Sequence, residues 1–160
     1  MKQKIISISS VSRISQKLRR FGKKIAFTNG TFDILHAGHV AYLQKARTFG
    51  DVLIVGLNSD KSVKSYKNSY RPINPEKDRA TVLAGLGCVD YIVLFQDPTP
   101  IELIQRIKPH YLIKGSDWEK ESIAGAGEVE SWGGRVKRIR LLAGRSTTNI
   151  IKRIRALPRV

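Results

Sequence analysis

The sequence has one cysteine and no long hydrophobic run. Cys88 cannot form an internal disulfide, and it lies in an apolar stretch where a thiol behaves as a small hydrophobic side chain. No apolar run approaches the roughly 20 residues that a transmembrane helix needs, since the longest candidates are short stretches such as 52–55. These absences exclude a scaffold held by internal disulfides and favour a soluble protein of the cytoplasm.

Common nucleotide-binding and metal-binding fingerprints are absent as well. No Walker A loop occurs, and the spaced glycines Gly125 and Gly127 end in Glu130, where a dinucleotide fingerprint requires Gly. Hydride transfer is therefore not expected. His and Cys do not cluster at zinc-ligand spacing, so we expect no metal held by protein ligands. The expected cofactor is Mg²⁺ held chiefly by substrate phosphates and water.

Acidic residues are scarce beside basic ones. The chain has 29 Lys and Arg against 13 Asp and Glu, a formal net charge of +16, which favours anionic partners by raising their local concentration. Nucleic acid, an acidic membrane surface and polyphosphate substrates all satisfy this argument. A nucleic-acid-binding module that uses the acid-free stretch 135–159 is the alternative from a different class. No nucleic-acid motif accompanies that charge and aromatic residues are not interleaved with it, so nucleic acid is not the expected partner.

The chain length and the N-terminal pattern predict one domain that begins with a helix. A length of 160 residues is typical of one domain. Val11, Ile14, Leu18 and Phe21 recur at helical spacing, which predicts an amphipathic helix docked on that domain. We therefore expect a single domain over 1–160, with the amphipathic helix in 1–24 and a catalytic core in 25–160.

Alternating strand and helix patterns predict the fold class. Local patterns predict five strands, at 25–28, 52–57, 91–94, 111–113 and 136–141. Helical patterns predict four further helices, at 40–49, 75–86, 100–107 and 146–156. This alternation indicates βαβ units, hence a Rossmann-like α/β fold of three layers, α/β/α, around a mostly parallel five-stranded sheet. Ligands are expected beyond the carboxyl ends of the strands.

The first predicted strand runs into the most informative stretch, Gly30-Thr31-Phe32-Asp33 followed by His36-Ala37-Gly38-His39. Gly30 lets the backbone approach a phosphate, and Gly38 does the same at a helix start, where free N–H groups attract anions. His36 and His39, three residues apart on one turn, project to the same side. Imidazoles there can hydrogen-bond phosphate oxygens and, when protonated, offset charge that builds on an attacked phosphate.

These two motifs resemble those of the cytidylyltransferase-like nucleotidyltransferases. More narrowly, the chain is similar to the heptose 1-phosphate adenylyltransferases at several further stretches, which are 27–30, 58–60, 71–73, 89–90, 114–115, 133–134 and 146–148. The similarity extends over nearly the whole chain. It implies a Rossmann-like fold, a homodimer and a place in bacterial surface-glycan synthesis, including the ADP-heptose of lipopolysaccharide. It also implies a separate sugar kinase that supplies the substrate, because the chain is too short to contain one.

Polar segments follow the later strands. Lys61, Lys64, Lys67 and Arg71 lie in a predicted polar loop after the second strand. The resemblance implies that Lys67 approaches the phosphates. Because Asn68 stands where heptose-type members commonly have Gly, the choice among the three lysines stays open.

Candidate ligands follow further along the chain. Arg79 is either a surface residue or a triphosphate ligand, and the resemblance favours the ligand. Asp117 can accept hydrogen bonds from ribose hydroxyls, and Trp118 either stacks on a base or packs. Ser146 or Thr147 is a predicted helix N-cap that also suits phosphate.

The residues and the resemblance together assign roles at the site. The predicted catalytic residues are Thr31, His36, His39 and Lys67. The predicted nucleotide ligands are Gly30, Thr31, Phe32, Gly38, Arg79, Lys114, Gly115, Asp117, Arg145, Ser146, Thr147 and Thr148. The predicted acceptor ligands are Asp33, Asp60 and Arg71.

The expected reaction is transfer of AMP from ATP to a sugar 1-phosphate, with D-glycero-β-D-manno-heptose 1-phosphate as the acceptor and pyrophosphate as the second product. The alternatives within the same chemistry are glycerol 3-phosphate and phosphoethanolamine cytidylyltransferases that use CTP. A catalytically silent nucleotide sensor is a third possibility. The acceptor and the base preference therefore stay open at this point.

Overall fold

A computed structural model describes residues 3–67 and 70–158 of the chain. Asn68 and Arg159, which enter the sequence argument above, lie outside the described residues. Six strands are present, β1 Ile5–Ile6, β2 Ile25–Gly30, β3 Val52–Asn58, β4 Tyr91–Phe95, β5 Tyr111–Gly115 and β6 Arg135–Ile139. Seven α-helices accompany them, α1 Ile8–Arg20, α2 Ala37–Arg47, α3 Asp60–Tyr66, α4 Glu76–Gly85, α5 Ile101–Ile107, α6 Ala126–Ser131 and α7 Thr147–Arg155.

The strands form one sheet in the order β1-β4-β3-β2-β5-β6, and every neighbouring pair is parallel. The Rossmann-like, parallel α/β prediction is confirmed. The count of five strands is wrong, because a two-residue strand, β1, pairs with Ile92 and Val93 at the sheet edge. So short a strand has no periodicity from which a sequence pattern could reveal it.

Helices cover both faces of the sheet, which gives the three layers. On one face, buried residues of α1, α5 and α6 pack against strand residues such as Phe27 and Ile54. On the other face, α2 and α4 pack through Leu43 and Leu83 against residues such as Leu53. Successive residues of β2 and β3 alternate between these two clusters, so both faces of the central strands are buried.

The N-terminal helix docks on the sheet as its pattern predicts. Val11 is fully buried, and Ile14 and Leu18 pack against the same cluster. Phe21 is the exception, because α1 ends at Arg20 and the Phe21 side chain is 70% exposed. The assignment of the whole chain to a single domain, divided at residues 24 and 25, stays a prediction.

Two segments differ from their predicted conformation. The polar loop expected after β3 contains α3, whose N-cap Ser59 accepts a hydrogen bond from the backbone N–H of Ser62. The last predicted strand ends at Ile139, before Leu141. Within the described ranges no helix combines the length and the apolar character needed to cross a bilayer.

Candidate active site

A cleft of about 830 Å³ opens at the carboxyl ends of the strands, where Asn29, Asn58 and Gly115 contribute to its wall. The predicted site residues that line it are Gly30, Thr31, Phe32, His36, Gly38, His39, Lys67, Lys114, Gly115, Asp117, Arg145, Ser146 and Thr147. In the described part of the chain, the predicted residues outside this lining are Asp33, Asp60, Arg71, Arg79 and Thr148. Most of the predicted set therefore shares one cleft.

The loop after β2 is folded back on itself so that Phe32 contacts His39. Phe32 adopts a left-handed backbone conformation with φ 45°, and its ring meets the His39 ring edge-on with centroids 5.3 Å apart. A Cβ atom at Gly30 would lie 3.1 Å from the Phe32 ring. Because glycine has no side chain, Gly30 leaves room for the Phe32 ring, and Phe32 in turn packs against the His39 ring.

The two histidines of the motif stack on each other at the start of α2. Their ring centroids are 3.8 Å apart with planes 23° from parallel. His36 is the N-cap of α2, and its Nδ1 accepts a hydrogen bond of 3.1 Å from the backbone N–H of Gly38. Because Nδ1 accepts, the neutral His36 ring carries its proton on Nε2, which leaves Nε2–H as the remaining donor.

Both imidazoles are held neutral in the protein alone. Burial lowers the pKa of His39 to about 4, with His36 acting in the same direction, the Ile34 backbone opposing it and Lys67 adding a further lowering. Burial also lowers the pKa of His36. Nδ1 of His39 is buried and has no hydrogen bond of ordinary geometry among the described residues. The Ile34 backbone is the group that interacts with the ring. Without a bound anion, His36 therefore offers its Nε2–H as a donor to the cleft, and neither ring carries the positive charge there.

The N-terminal ends of two helices converge beside the histidines. A Cβ atom at Gly38 would lie 3.0 Å from the carbonyl oxygen of Arg145, so Gly38 permits the approach of α2 to the segment that opens α7. Ser146 caps α7 by accepting a hydrogen bond from the backbone N–H of Asn149. Helix N-termini carry unpaired N–H groups and partial positive charge, so this corner of the cleft suits an anion.

Lys67 supplies a positive charge to the cleft. It follows α3 directly, and among Lys61, Lys64 and Lys67 it is the lysine that lines the cleft. Burial, with the charge of Arg71 in the same direction, lowers the pKa of Lys67, while Asp33 opposes the lowering. The arrangement thus favours Lys67 over the two other lysines as a partner for phosphate.

A second lysine lies deep in the cleft between the ends of β2 and β5. Nζ of Lys114 donates a 2.6 Å hydrogen bond to Oδ1 of Asn29 and lies 5.6 Å from the centre of the Trp118 ring. Burial lowers the pKa of Lys114 to about 8, and Asp117 opposes the lowering. A Cβ atom at Gly115 would collide with Oδ1 of Asp117, so Gly115 lets Asp117 turn back over the strand end.

Two predicted ligands, Asp33 and Arg71, instead bind each other. Asp33 is 3% exposed, and its carboxylate accepts a 2.7 Å bond from Nε of Arg71 together with bonds from the backbone N–H groups of Ile73 and Asn74. This set ties the loop after β2 to the segment before α4. In this conformation Asp33 has no free oxygen facing the cleft, so the arrangement supports it as a brace and does not support it as an acceptor ligand.

Arg79 is a second brace beneath the cleft. Its side chain is fully buried, and all three guanidinium nitrogens donate to protein oxygens, among them the carbonyls of Thr31 and Asn58 and the carboxylate of Asp60. Asp60 also accepts from the backbone N–H of Glu76. The expectation that Arg79 binds triphosphate and Asp60 binds acceptor stays a prediction, and in this structure the two side chains bind each other and nearby backbone groups.

Several cleft residues escape the sequence argument. Tyr42 and Tyr66 contribute hydroxyl groups, and both form hydrogen bonds with threonines, Thr28 and Thr31 respectively. The loop after β4 contributes further lining residues, which are Pro98, Thr99 and Pro100. The rule that ligands gather beyond strand ends could have found this loop. No local pattern distinguishes the two tyrosines from packing residues.

A family model described as cytidylyltransferase-like matches residues 27–153. The chain belongs to the cytidylyltransferase-like family. Curated relatives named bifunctional protein HldE include one from Pelobacter propionicus, 56% identical over 133 residues, which are 83% of this chain and 27% of the relative. Another, from Aliarcobacter butzleri, is 51% identical over 150 residues, which are 94% of this chain and 31% of the relative. The chain spans less than a third of the length of these relatives.

Solved structures show the same cytidylyltransferase-like fold. The lipopolysaccharide core biosynthesis protein from Thermoplasma volcanium superimposes with a TM-score of 0.63 at 27% identity, covering 76% of this chain and 98% of the other. Pantoate-beta-alanine ligase from Francisella tularensis superimposes with a TM-score of 0.61 at 18% identity, covering 92% of this chain and 75% of the other. The family predicted from the two motifs is confirmed, and so is a nucleotidyltransferase type of domain.

Proposed function

We propose that this domain transfers AMP from ATP to a sugar 1-phosphate, with D-glycero-β-D-manno-heptose 1-phosphate as the acceptor. The observation that carries the proposal is the stacked His36 and His39 pair, which lines a cleft between the N-terminus of α2 and Lys67. Membership of the cytidylyltransferase-like family and the HldE relatives support it. The Thermoplasma volcanium protein is named for lipopolysaccharide core biosynthesis, which agrees with a sugar acceptor.

The proposed reaction is a single in-line displacement. A phosphate oxygen of the acceptor attacks the α-phosphorus of ATP, the bond from that phosphorus to the bridging oxygen breaks, and pyrophosphate leaves. A phosphate monoester is already anionic near neutral pH, so no strong protein base is required. The protein's task is to hold two anions together and to stabilise the charge that builds on the α-phosphate.

Each wall of the cleft has a part in this task. His36 donates from its Nε2–H to the α-phosphate, and His39, Thr31 and Lys67 contact the same group. Arg145, Ser146 and Thr147, at the start of α7, bind the β- and γ-phosphates through side chains and backbone N–H groups.

Lys114, Asp117 and Trp118 form the nucleoside end, where the carboxylate accepts from ribose hydroxyls.

The proposed cofactor is Mg²⁺ that enters with the triphosphate. Among the described residues, no group of three or more His, Cys, Asp or Glu side chains is arranged to hold a metal ion. A hard cation of this kind takes phosphate and water oxygens as ligands. The described lining of the cleft contains one carboxylate, Asp117, so substrate and water would supply most of the ligands. When bound, Mg²⁺ neutralises charge on the leaving pyrophosphate.

The proposed partners follow from the acceptor. A sugar kinase would make the 1-phosphate that this domain consumes, in the cytoplasm. A homodimer is the proposed assembly. With Asp33, Asp60 and Arg79 engaged as braces, the acceptor phosphate is proposed to lie near Lys67, which lines the cleft.

A pyrophosphate-release screen tests the proposal. ATP, CTP and GTP would each be combined with heptose 1-phosphate, glycerol 3-phosphate and phosphoethanolamine, with Mg²⁺ present throughout. We expect release with ATP and heptose 1-phosphate to exceed every other pair by about a hundredfold or more, the discrimination typical of sites that pair with substrate polar groups. If release were highest with CTP and either glycerol 3-phosphate or phosphoethanolamine, the domain would be a cytidylyltransferase. Retained nucleotide binding without release on any acceptor would identify a sensor.

A further inference from the structure

A hydrogen bond joins the two sides of the cleft beside the histidines. The hydroxyl oxygens of Thr31 and Tyr66 are 2.7 Å apart. Thr31 belongs to the loop after β2, and Tyr66 is the last residue of α3, which follows β3. Both side chains line the cleft, and the Tyr66 side chain is 52% exposed there. The contact therefore connects two segments that otherwise carry different parts of the site.

Two hydroxyl groups that share one hydrogen bond leave one O–H to point elsewhere. A phenol is a stronger donor than an aliphatic alcohol, so the favoured arrangement has Tyr66 donating to the oxygen of Thr31. The O–H of Thr31 is then the one left to point into the cleft. Without Tyr66 that hydroxyl could rotate among its staggered positions, and the freedom would have to be lost when substrate binds.

The same contact holds the next residue in place. Lys67 follows Tyr66 directly, and its backbone N–H bonds to the carbonyl oxygen of Val63 at 2.9 Å. The Lys67 ammonium is close enough to His39 to lower its pKa. The hydrogen bond from the end of α3 to Thr31 therefore fixes the position of Lys67 relative to the histidine pair. Lys67 belongs to the segment after β3, and the histidines belong to the segment after β2.

We propose that Tyr66 is a positioning residue that aims the Thr31 hydroxyl and the Lys67 ammonium at an anionic phosphate oxygen of the bound triphosphate. The role rests on the proposed nucleotidyl transfer. Tyr66 acts through Thr31 and Lys67, so removal of its hydroxyl group should disorder the Thr31 hydroxyl and the Lys67 side chain and leave the fold unaffected. The effect of its hydroxyl should exist only while Thr31 retains its own.

A double-mutant cycle tests this dependence. Tyr66→Phe and Thr31→Val each delete one hydroxyl and keep the shape of the side chain. Tyr70→Phe is the matched control, because Tyr70 follows Tyr66 closely in the sequence and is 81% exposed. Two readouts are needed, binding of ATP with Mg²⁺ by calorimetry and pyrophosphate release under saturating substrates. Thermal melting of each variant shows that it is folded.

We expect Tyr66→Phe to weaken ATP binding about threefold and to lower kcat about tenfold, the range of one neutral hydrogen bond. In the Thr31→Val background the same change should have no further effect on either readout. Tyr70→Phe should match the parent protein. Equal behaviour of Tyr66→Phe and the parent in both readouts would overturn the role, and so would additive losses in the double variant or a rise in kcat.

The two readouts separate this role from the proposed function. If the parent protein released no pyrophosphate with any acceptor, nucleotidyl transfer would fail, while the binding cycle with ATP and Mg²⁺ would still decide whether Tyr66 and Thr31 act together. If the parent turned over normally and the cycle were additive, the positioning role alone would fail.

Discussion

The segments that follow β2 and β3 use polar residues in opposite ways. After β2, His36 and His39 line the cleft, and His36 keeps its Nε2–H because its Nδ1 accepts from the backbone N–H of Gly38 in its own helix. After β3, Asp60 and the neighbouring Arg79 spend their polar atoms on each other and on backbone groups. The histidine pair thus faces the cleft, and the Asp60 and Arg79 pair holds the loop after β2 in position.

The contact from Arg79 to Thr31 shows how the two segments depend on each other. NH1 of Arg79 donates to the carbonyl oxygen of Thr31, and Thr31 itself lines the cleft. A buried charge held by four hydrogen bonds is costly to disturb, whereas a partly buried ring with no completed hydrogen bond at Nδ1 is less costly to replace. Substitutions in the two segments should therefore damage different properties.

The largest expected effect is on catalysis, at His39. His39→Ala should lower kcat/KM by about a thousandfold, the loss found when one preorganised donor to a developing charge is removed. The thermal midpoint should stay close to that of the parent, because the ring has no completed hydrogen bond at Nδ1. Pyrophosphate release and differential scanning fluorimetry on the same sample measure both quantities.

His110 provides the matched control for that experiment. It lies just before β5, at the opposite end of the sheet, and its Nδ1 accepts from the backbone N–H of Ile25. His110→Gln should keep turnover within about twofold, since surface or framework changes away from a site act on stability. Undiminished release by His39→Ala would refute the catalytic role of the histidine pair.

The second expected effect is on stability, at Arg79. Arg79→Met keeps much of the side-chain volume but leaves Asp60 and three carbonyl groups without their donor, so unfolding free energy should fall by about 3 kcal/mol or more. Urea unfolding followed by circular dichroism measures the change. Lys77→Met is the control, because Lys77 is exposed on the same helix and should change stability by less than about 0.5 kcal/mol. Loss of ATP affinity with unchanged stability would restore Arg79 as a triphosphate ligand.

The sequence could predict the sheet and the location of the cleft because both follow from local patterns. The apolar runs around Phe27, Ile54 and Ile92 are long enough to identify buried strands. Once a parallel sheet is expected, the residues after each strand become candidates without any knowledge of side-chain positions. That rule places His36, Lys67 and Lys114 in one cleft, as the structure does.

The division between ligands and braces could not be predicted, because it depends on contacts between segments distant in sequence. Arg79 reaches Thr31, which is 48 positions away, and Arg71 reaches Asp33, which is 38 positions away. A charged residue after a strand has the same local appearance whether it faces solvent or a buried partner. Tyr66 was missed for the same reason, since its hydroxyl partner belongs to another segment.

The smallest expected effect uses pH to sharpen the contrast within the histidine pair. The pKa of His39 is about 4 in the folded protein and 6.5 in its unperturbed state, so the unfolded chain binds the additional proton between these values. Unfolding free energy should therefore fall as pH is lowered through this window. The parent should lose about 2 kcal/mol more than His39→Gln between about pH 7 and about pH 4.5, less than the full shift implies because water partly reaches the ring. Urea unfolding at several pH values measures the difference, in which other titrating groups cancel. Parallel curves for the two proteins would contradict the lowered pKa and show that the His39 ring is solvated in the folded state.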